Sequence, residues 1–127
     1  MKCLTVCQPW AHLIIHHDKR IENRTRRTHY RGKLAVHAGL STRWLAGYAE
    51  LYPFAVFQQP LQFGAILGLV DLVDCVPLSE VAGQPYATGP WCWILANPEP
   101  LLEPVPLKGR LGLFDVPDDL IGRKSAE

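Results

Sequence analysis

With 127 residues, 48% of them hydrophobic and 20% charged, the chain has the size and composition of one globular domain, which excludes a disordered or collagen-like polymer. Its formal net charge of +1 conceals a division: residues 1–43 carry nine Lys/Arg against Asp18 and Glu22, residues 44–127 four against ten acids. No apolar run nears the roughly 20 residues of a bilayer span, and four cysteines in a chain with room for a core need no disulfide framework, so neither membrane anchor nor secretory leader is expected and free thiols in a cytoplasm are.

Lys2 to Cys7 alternates, with Leu4 and Val6 on one face and Cys3, Thr5 and Cys7 on the other, as a short strand does. Pro9 suits a helix start, and Trp10, Leu13, Ile14 and His17 recur at helical spacing, predicting an amphipathic helix over 9–17. Strands follow at 20–24, with Ile21 inward, and at 34–38. Ser41 is a good N-cap for a second helix through Trp44, Tyr48 and Leu51, which Pro53 stops. The apolar, glycine-punctuated run from Gly64 to Val76 predicts a long buried strand, and 77–82 a single helical turn. Trp91 to Ala96 alternates as a strand ending at Asn97-Pro98; 105–108 and 111–116 close the set. Most links between strands lack room for a crossover helix, so parallel order is not expected. The reading is an α+β fold: a small mixed barrel of about six strands with two or three flanking helices, a single domain over 1–120 and a polar tail over 121–127.

No phosphate-cradling loop, nucleophile elbow or paired CxxC is present, and no cofactor is implied. Cys3, Cys7, Cys75 and Cys92 read as small buried thiols. His12 and His16 are four apart on the helix without a third ligand nearby in sequence, so a surface or capping role is expected and no metal. Seven cations fall between Lys19 and Lys33 (Lys19, Arg20, Arg24, Arg26, Arg27, Arg31, Lys33): either an address for a polyanion or a solvated loop paired with the acidic remainder. Within it, an extended 20–24 segment points Glu22 and Arg24 to the face opposite Ile21 and Asn23, and Lys19 can turn the same way from the helix exit. An acid between two cations, behind Trp10, makes a polar pocket floor. Lys19 and Arg24 can hold an anion or base carbonyl, and Glu22 can accept from an amine or act as general base. The alternative is a structural Glu–Arg pair inside the barrel.

Cys7-Gln8-Pro9-Trp10-Ala11 followed by Lys19-x-x-Glu22-x-Arg24 resembles the core motif of the ASCH (activating signal cointegrator homology) family, a branch of the PUA-like fold. The resemblance continues through Arg31-Gly32, Val36-His37-Ala38-Gly39, Gly64-Ala65-Ile66-x-Gly68, Leu95-x-Asn97-Pro98, Pro106-x-Lys108-Gly109 and Gly112-x-Phe114, nearly the whole chain in order. It departs in two places: His17 stands where relatives usually have Gly, and Cys7 where many have Arg. What the resemblance implies is a PUA-like barrel with a cleft beside the Gln8–Trp10 turn, and a nucleic-acid or nucleotide ligand. One similar branch is an amidohydrolase acting on acetylcytidine through Lys, Thr and Glu. Lys19 matches that Lys, but Glu22 occupies the Thr position. Another branch cleaves RNA.

Three readings follow. The first is a module binding RNA, another single strand or a modified nucleoside through Gln8, Pro9, Trp10, Lys19, Glu22, Asn23, Arg24, Thr25, Arg26, Arg27, Arg31 and His37, with Lys33 also along the backbone. The second is a hydrolase, amidohydrolase or ribonuclease, with Lys19 and Glu22 as its catalytic acid–base pair. The third is a partner-binding domain with a vestigial cleft. Binding leads because the matched chemistry is incomplete.

Overall fold

A computed structural model describes residues 1–45 and 60–121. Strand β1 (Lys2–Val6) leads into helix α1 (Trp10–His16), then come β2 (Ile21–Arg24), β3 (Gly32–Ala38), β4 (Ala65–Pro77), β5 (Trp91–Pro106) and β6 (Leu113–Asp115), with 3-10 turns at Leu78–Glu80 and Asp118–Leu120. The six strands form one mixed sheet in the order β2-β5-β4-β3-β1-β6, curled as the half-barrel of a PUA-like fold. The second predicted helix, with Tyr48, Leu51 and Pro53, lies outside the described residues beyond Leu45, as does the predicted tail beyond Ile121.

The period-two pattern divides the core in two. Leu4 and Val6 of β1 and Leu34, Val36 and Ala38 of β3 join Ile14 and Ile15 of α1, Leu67, Val70 and Leu72 of β4, and Trp93 and Leu95 of β5. Cys3 and Ala35, one residue out of phase, join Ile66, Leu101, Val105, Val116 and Ile121 on the other side. Both faces of the central strands are therefore covered, which is why β4 reads as an almost continuous apolar run.

Two expectations are corrected. First, β1 and β3 are parallel, Leu4 facing Val36 across the ladder. The link between them holds α1 and β2, and β2 is spent on the opposite edge of the sheet, so the crossover has ample length. Second, Asn97-Pro98 does not end a strand: β5 runs unbroken from Trp91 to Pro106. Its register against β4 shifts three times, between Ile66 and Gly68, Leu69 and Asp71, and Leu72 and Asp74, and Asn97 takes φ 52°. Irregularities of this kind absorb residues that cannot extend a regular ladder and bend the sheet. Gly68 marks the tightest point of that bend, for a Cβ there would lie 2.5 Å from the Glu99 carbonyl oxygen and 3.0 Å from Ile15 of α1.

Of the four thiols, Cys3, Cys75 and Cys92 are buried and Cys7 is only half-buried; all are free. His12 is also not at the surface: it is 3% exposed within α1, its ring 4.8 Å from that of His16 and 5.2 Å from that of His17. Burial, reinforced by those two neighbours, pushes its imidazole down to about 4. Among the described residues no group of three or more His, Cys, Asp or Glu is arranged to hold a metal ion, and no helix is long and apolar enough to cross a membrane.

Candidate functional site

The site begins where α1 stops. His17 has φ −133°, so the left-handed glycine cap of relatives has no counterpart, and the last carbonyls need another donor. Arg20 supplies it: its guanidinium donates to the carbonyls of Ile14 (3.1 Å), His17 (2.9 Å) and Lys19 (3.0 Å). One cation of the basic stretch is thus spent on the helix end. The turn it stabilises sends Lys19 inward and starts β2.

Glu22 and Arg24 share a face of β2, as alternation predicts. Arg24 donates through Nε to Glu22 Oε2 at 3.0 Å and through Nη2 to the Thr5 carbonyl at 2.9 Å. Lys19 Nζ donates to the Ile21 carbonyl and stands 3.6 Å from Glu22 Oε1. Exposure rises across the triad, with side-chain values of 4% for Lys19, 11% for Glu22 and 26% for Arg24, so Lys19 is the floor and Arg24 the rim. Desolvation lowers the Lys19 ammonium below the ordinary lysine range, and Glu22 opposes that shift.

Two aromatic rings flank the ammonium. Its nitrogen lies 5.6 Å from the centroid of Trp10 and 5.0 Å from that of Tyr86. Tyr86 was not legible as a site residue; its stretch, Gln84-Pro85-Tyr86-Ala87-Thr88-Gly89, has turn chemistry and no periodicity. Asn23 holds that loop, donating to the Tyr86 carbonyl (2.7 Å) and accepting from the amides of Thr88 (2.9 Å) and Gly89 (2.8 Å). Tyr86 sits at φ 69°, and its hydroxyl donates to Asp18 at 3.0 Å.

The structure therefore brings together Trp10, Lys19, Glu22 and Arg24. Asn23 points to the opposite face of β2 and acts on the cleft only through Tyr86. Gln8 is fully buried, its Oε1 accepting from the His12 amide (2.9 Å) and its Nε2 donating to the Gln62 carbonyl (2.7 Å); with buried Pro9 it supports the start of α1 from behind. His37 is 1% exposed, its ring nitrogens taken by Thr5 Oγ1 (3.2 Å) and the Leu107 carbonyl (2.5 Å), so it supports Thr5 from the interior and presents no free polar atom. Thr25, Arg26 and Arg27 are exposed just beyond β2, with the Arg27 guanidinium 5.5 Å from the Trp91 ring. Arg31 meets Asp74 at 3.4 Å, and Lys33 meets Asp71 at 3.2 Å and Glu99 at 2.9 Å. A cavity lined by His12, His16, Gln62, Leu67 and Leu101 includes none of the cleft residues.

The ASCH domain model matches residues 4–106. Activating signal cointegrator 1 of Homo sapiens is 30% identical over 120 residues, covering 84% of this chain and 21% of that protein, and the Mus musculus protein is 28% identical over the same length. The chain spans about a fifth of those curated relatives. Among solved structures, a ZmASCH mutant protein from Zymomonas mobilis superposes with a TM-score of 0.64 at 10% identity, covering 96% of this chain and 94% of that one. The curled six-stranded sheet, the helix that precedes Lys19 and the match over most of the chain lead to one conclusion: this chain belongs to the ASCH domain family.

Proposed function

We propose that the chain binds RNA or another single-stranded nucleic acid and takes one base or phosphate into the cleft between Trp10 and Tyr86. The observation that carries this reading is the Lys19 ammonium, 4% exposed between two aromatic faces. It has three N–H donors: the Ile21 carbonyl takes one, and the Glu22 carboxylate, 3.6 Å away, pairs with a second. A buried ammonium with donor capacity left over suits an incoming carbonyl or phosphate oxygen. Arg24 at the rim adds a second donor, and Glu22 offers an acceptor for an exocyclic amine. The exposed Arg26 and Arg27 then meet the neighbouring phosphates. A cytoplasmic location is part of this proposal, in keeping with a cysteine content that needs no disulfide framework.

The second reading, hydrolysis of a modified nucleoside or RNA, is favoured by one arrangement: a buried ammonium, lowered below the ordinary lysine range by desolvation, stands 3.6 Å from the Glu22 carboxylate. Glu22→Gln separates the two. A binding module keeps most of its affinity for an oligonucleotide, whereas an enzyme using Glu22 as base loses about 10²–10⁴ in rate. Melting temperature is measured alongside, because Arg24 loses its carboxylate partner. A Gln variant that melts lower yet binds and turns over like the parent assigns the pair to structure alone.

A further inference from the structure

The cleft does not end at Trp10. Trp44 packs edge-on against it, ring centroids 6.5 Å apart at 62° between planes, and the Arg43 guanidinium lies 5.0 Å from the Trp44 ring. Neighbouring groups link Tyr86 to Lys19, Lys19 to Trp10, Trp10 to Trp44 and Trp44 to Arg43, at separations of 5.0, 5.6, 6.5 and 5.0 Å, so that the edge-on pair of indoles has a cation on either side. Residues far apart in sequence are assembled into one track. Trp44 remains 45% exposed, and a shallow groove is lined by Arg43 and Trp44. An indole half open to solvent beside a guanidinium contributes little to the core it touches. Both groups suit the π-face of a base, and the guanidinium also suits a phosphate.

We propose that Trp44 and Arg43 form a second nucleotide subsite, so that the ligand is a single strand of at least two nucleotides: one held over Lys19, the next stacked at Trp44 with its phosphate met by Arg43. This rests on the cleft reading above and narrows it, since a free nucleoside fills only the inner position. A base-paired duplex keeps its bases stacked on each other and does not present them to two indoles. Charge and stacking together select this occupant: each position pairs an aromatic face with a cation, Lys19 at the inner one and Arg43 at the outer, and Glu22 beside Lys19 offers an acceptor for a base amine.

The test compares uridine monophosphate, the dinucleotide UpU and a uridine hexamer on the whole chain, using the parent, Trp44→Ala, Trp44→Phe and Arg43→Ala. The parent is expected to gain affinity from mononucleotide to dinucleotide. Trp44→Ala loses that gain, by about 5- to 100-fold, the range typical of one stacked base. Trp44→Phe restores most of it, Arg43→Ala flattens the salt dependence, and mononucleotide binding stays at the parent's level in all three. Dinucleotide and hexamer affinities unchanged in Trp44→Ala overturn the subsite. Sedimentation in which the parent self-associates and Trp44→Ala does not, with oligonucleotide affinity intact, assigns the face to a second copy of the chain and overturns it as well. A parent that binds the hexamer through Trp44 but no mononucleotide refutes the inner cleft and leaves the platform standing; a parent that binds none of the three refutes both.

Discussion

Lys19 is lysine-specific in its demands. The position needs a long, slender side chain whose head reaches the Ile21 carbonyl beside the Trp10 and Tyr86 rings, and the burial that follows makes its charge costly. A charge-assisted hydrogen bond from it is worth about 1.5–3 kcal/mol, so Lys19→Ala is expected to weaken oligonucleotide binding roughly tenfold or more. The pH dependence has a definite sign. Because the folded-state ammonium is lowered, it loses its proton before an ordinary lysine does, and affinity for an anionic ligand falls at a lower pH than the usual lysine range. Titrating affinity upward from neutral pH checks this. Lys19→Gln should bind weakly at every pH and lose that fall, and an unchanged profile in the variant would assign the titration to another group.

At the scale of elements, the site depends on loops held from behind. Asn23 carries no part of the cleft surface, yet its three hydrogen bonds fix the loop bearing Tyr86. Asn23→Ala leaves two backbone amides and a carbonyl to find other partners, a cost of about 1–3 kcal/mol in stability. Its expected signature is a moderate fall in melting temperature with a loss of ligand affinity that persists well below the melting transition. Equal affinity in the folded variant would show that Tyr86 needs no such tether. Helix α1 is set in the same indirect way. Gln8 stands under its first turn and Arg20 over its last, and neither reaches the cleft whose geometry they determine.

Across the whole molecule the basic stretch separates into two populations. Lys19, Arg20, Arg24, Arg31 and Lys33 are tied to carbonyls or acids, while Arg26 and Arg27 have no acidic partner within 4 Å among the described residues. Each cation that meets a single strand's phosphate contributes about −0.7 to the slope of log K against log[salt]. Replacing Arg26 and Arg27 together with Ala should therefore flatten the slope by about 1.4. Replacing Arg31 and Lys33 should leave it nearly unchanged, which salt titrations of the two variants decide. Acid stability follows from His12. Its folded-state value of about 4 lies below the unfolded value near 6.5, so the unfolded chain binds more protons in between. Stability is full above about pH 6.5 and declines as pH falls toward 4, by up to about 3 kcal/mol. Denaturation measured across that interval should show the decline in the parent and a shallower one in His12→Gln.

Alternation by itself determined that Glu22 and Arg24 share a face and that Leu4 and Val6 oppose Cys3, because the two-residue period of a strand is local geometry, and the unbroken apolar run marked 64–76 as a buried strand. The spacing from Lys19 to Arg24 likewise placed the polar triad and the family, since those residues lie within one turn and one strand. Only the tertiary structure decided the rest. The parallel pairing of β1 with β3 depends on β2 being spent at the far edge of the sheet, and the continuity of β5 past Asn97-Pro98 depends on β4 accepting its bulges. Tyr86 reaches the site from a loop without periodic signal, and Trp44 from a stretch whose helical spacing gave no hint of the cleft, whereas Gln8, within the motif itself, is buried behind α1. Local sequence specifies which way a side chain points along its own strand or helix; which distant loop closes over it is set by long-range pairing and burial, and those are properties of the packed chain.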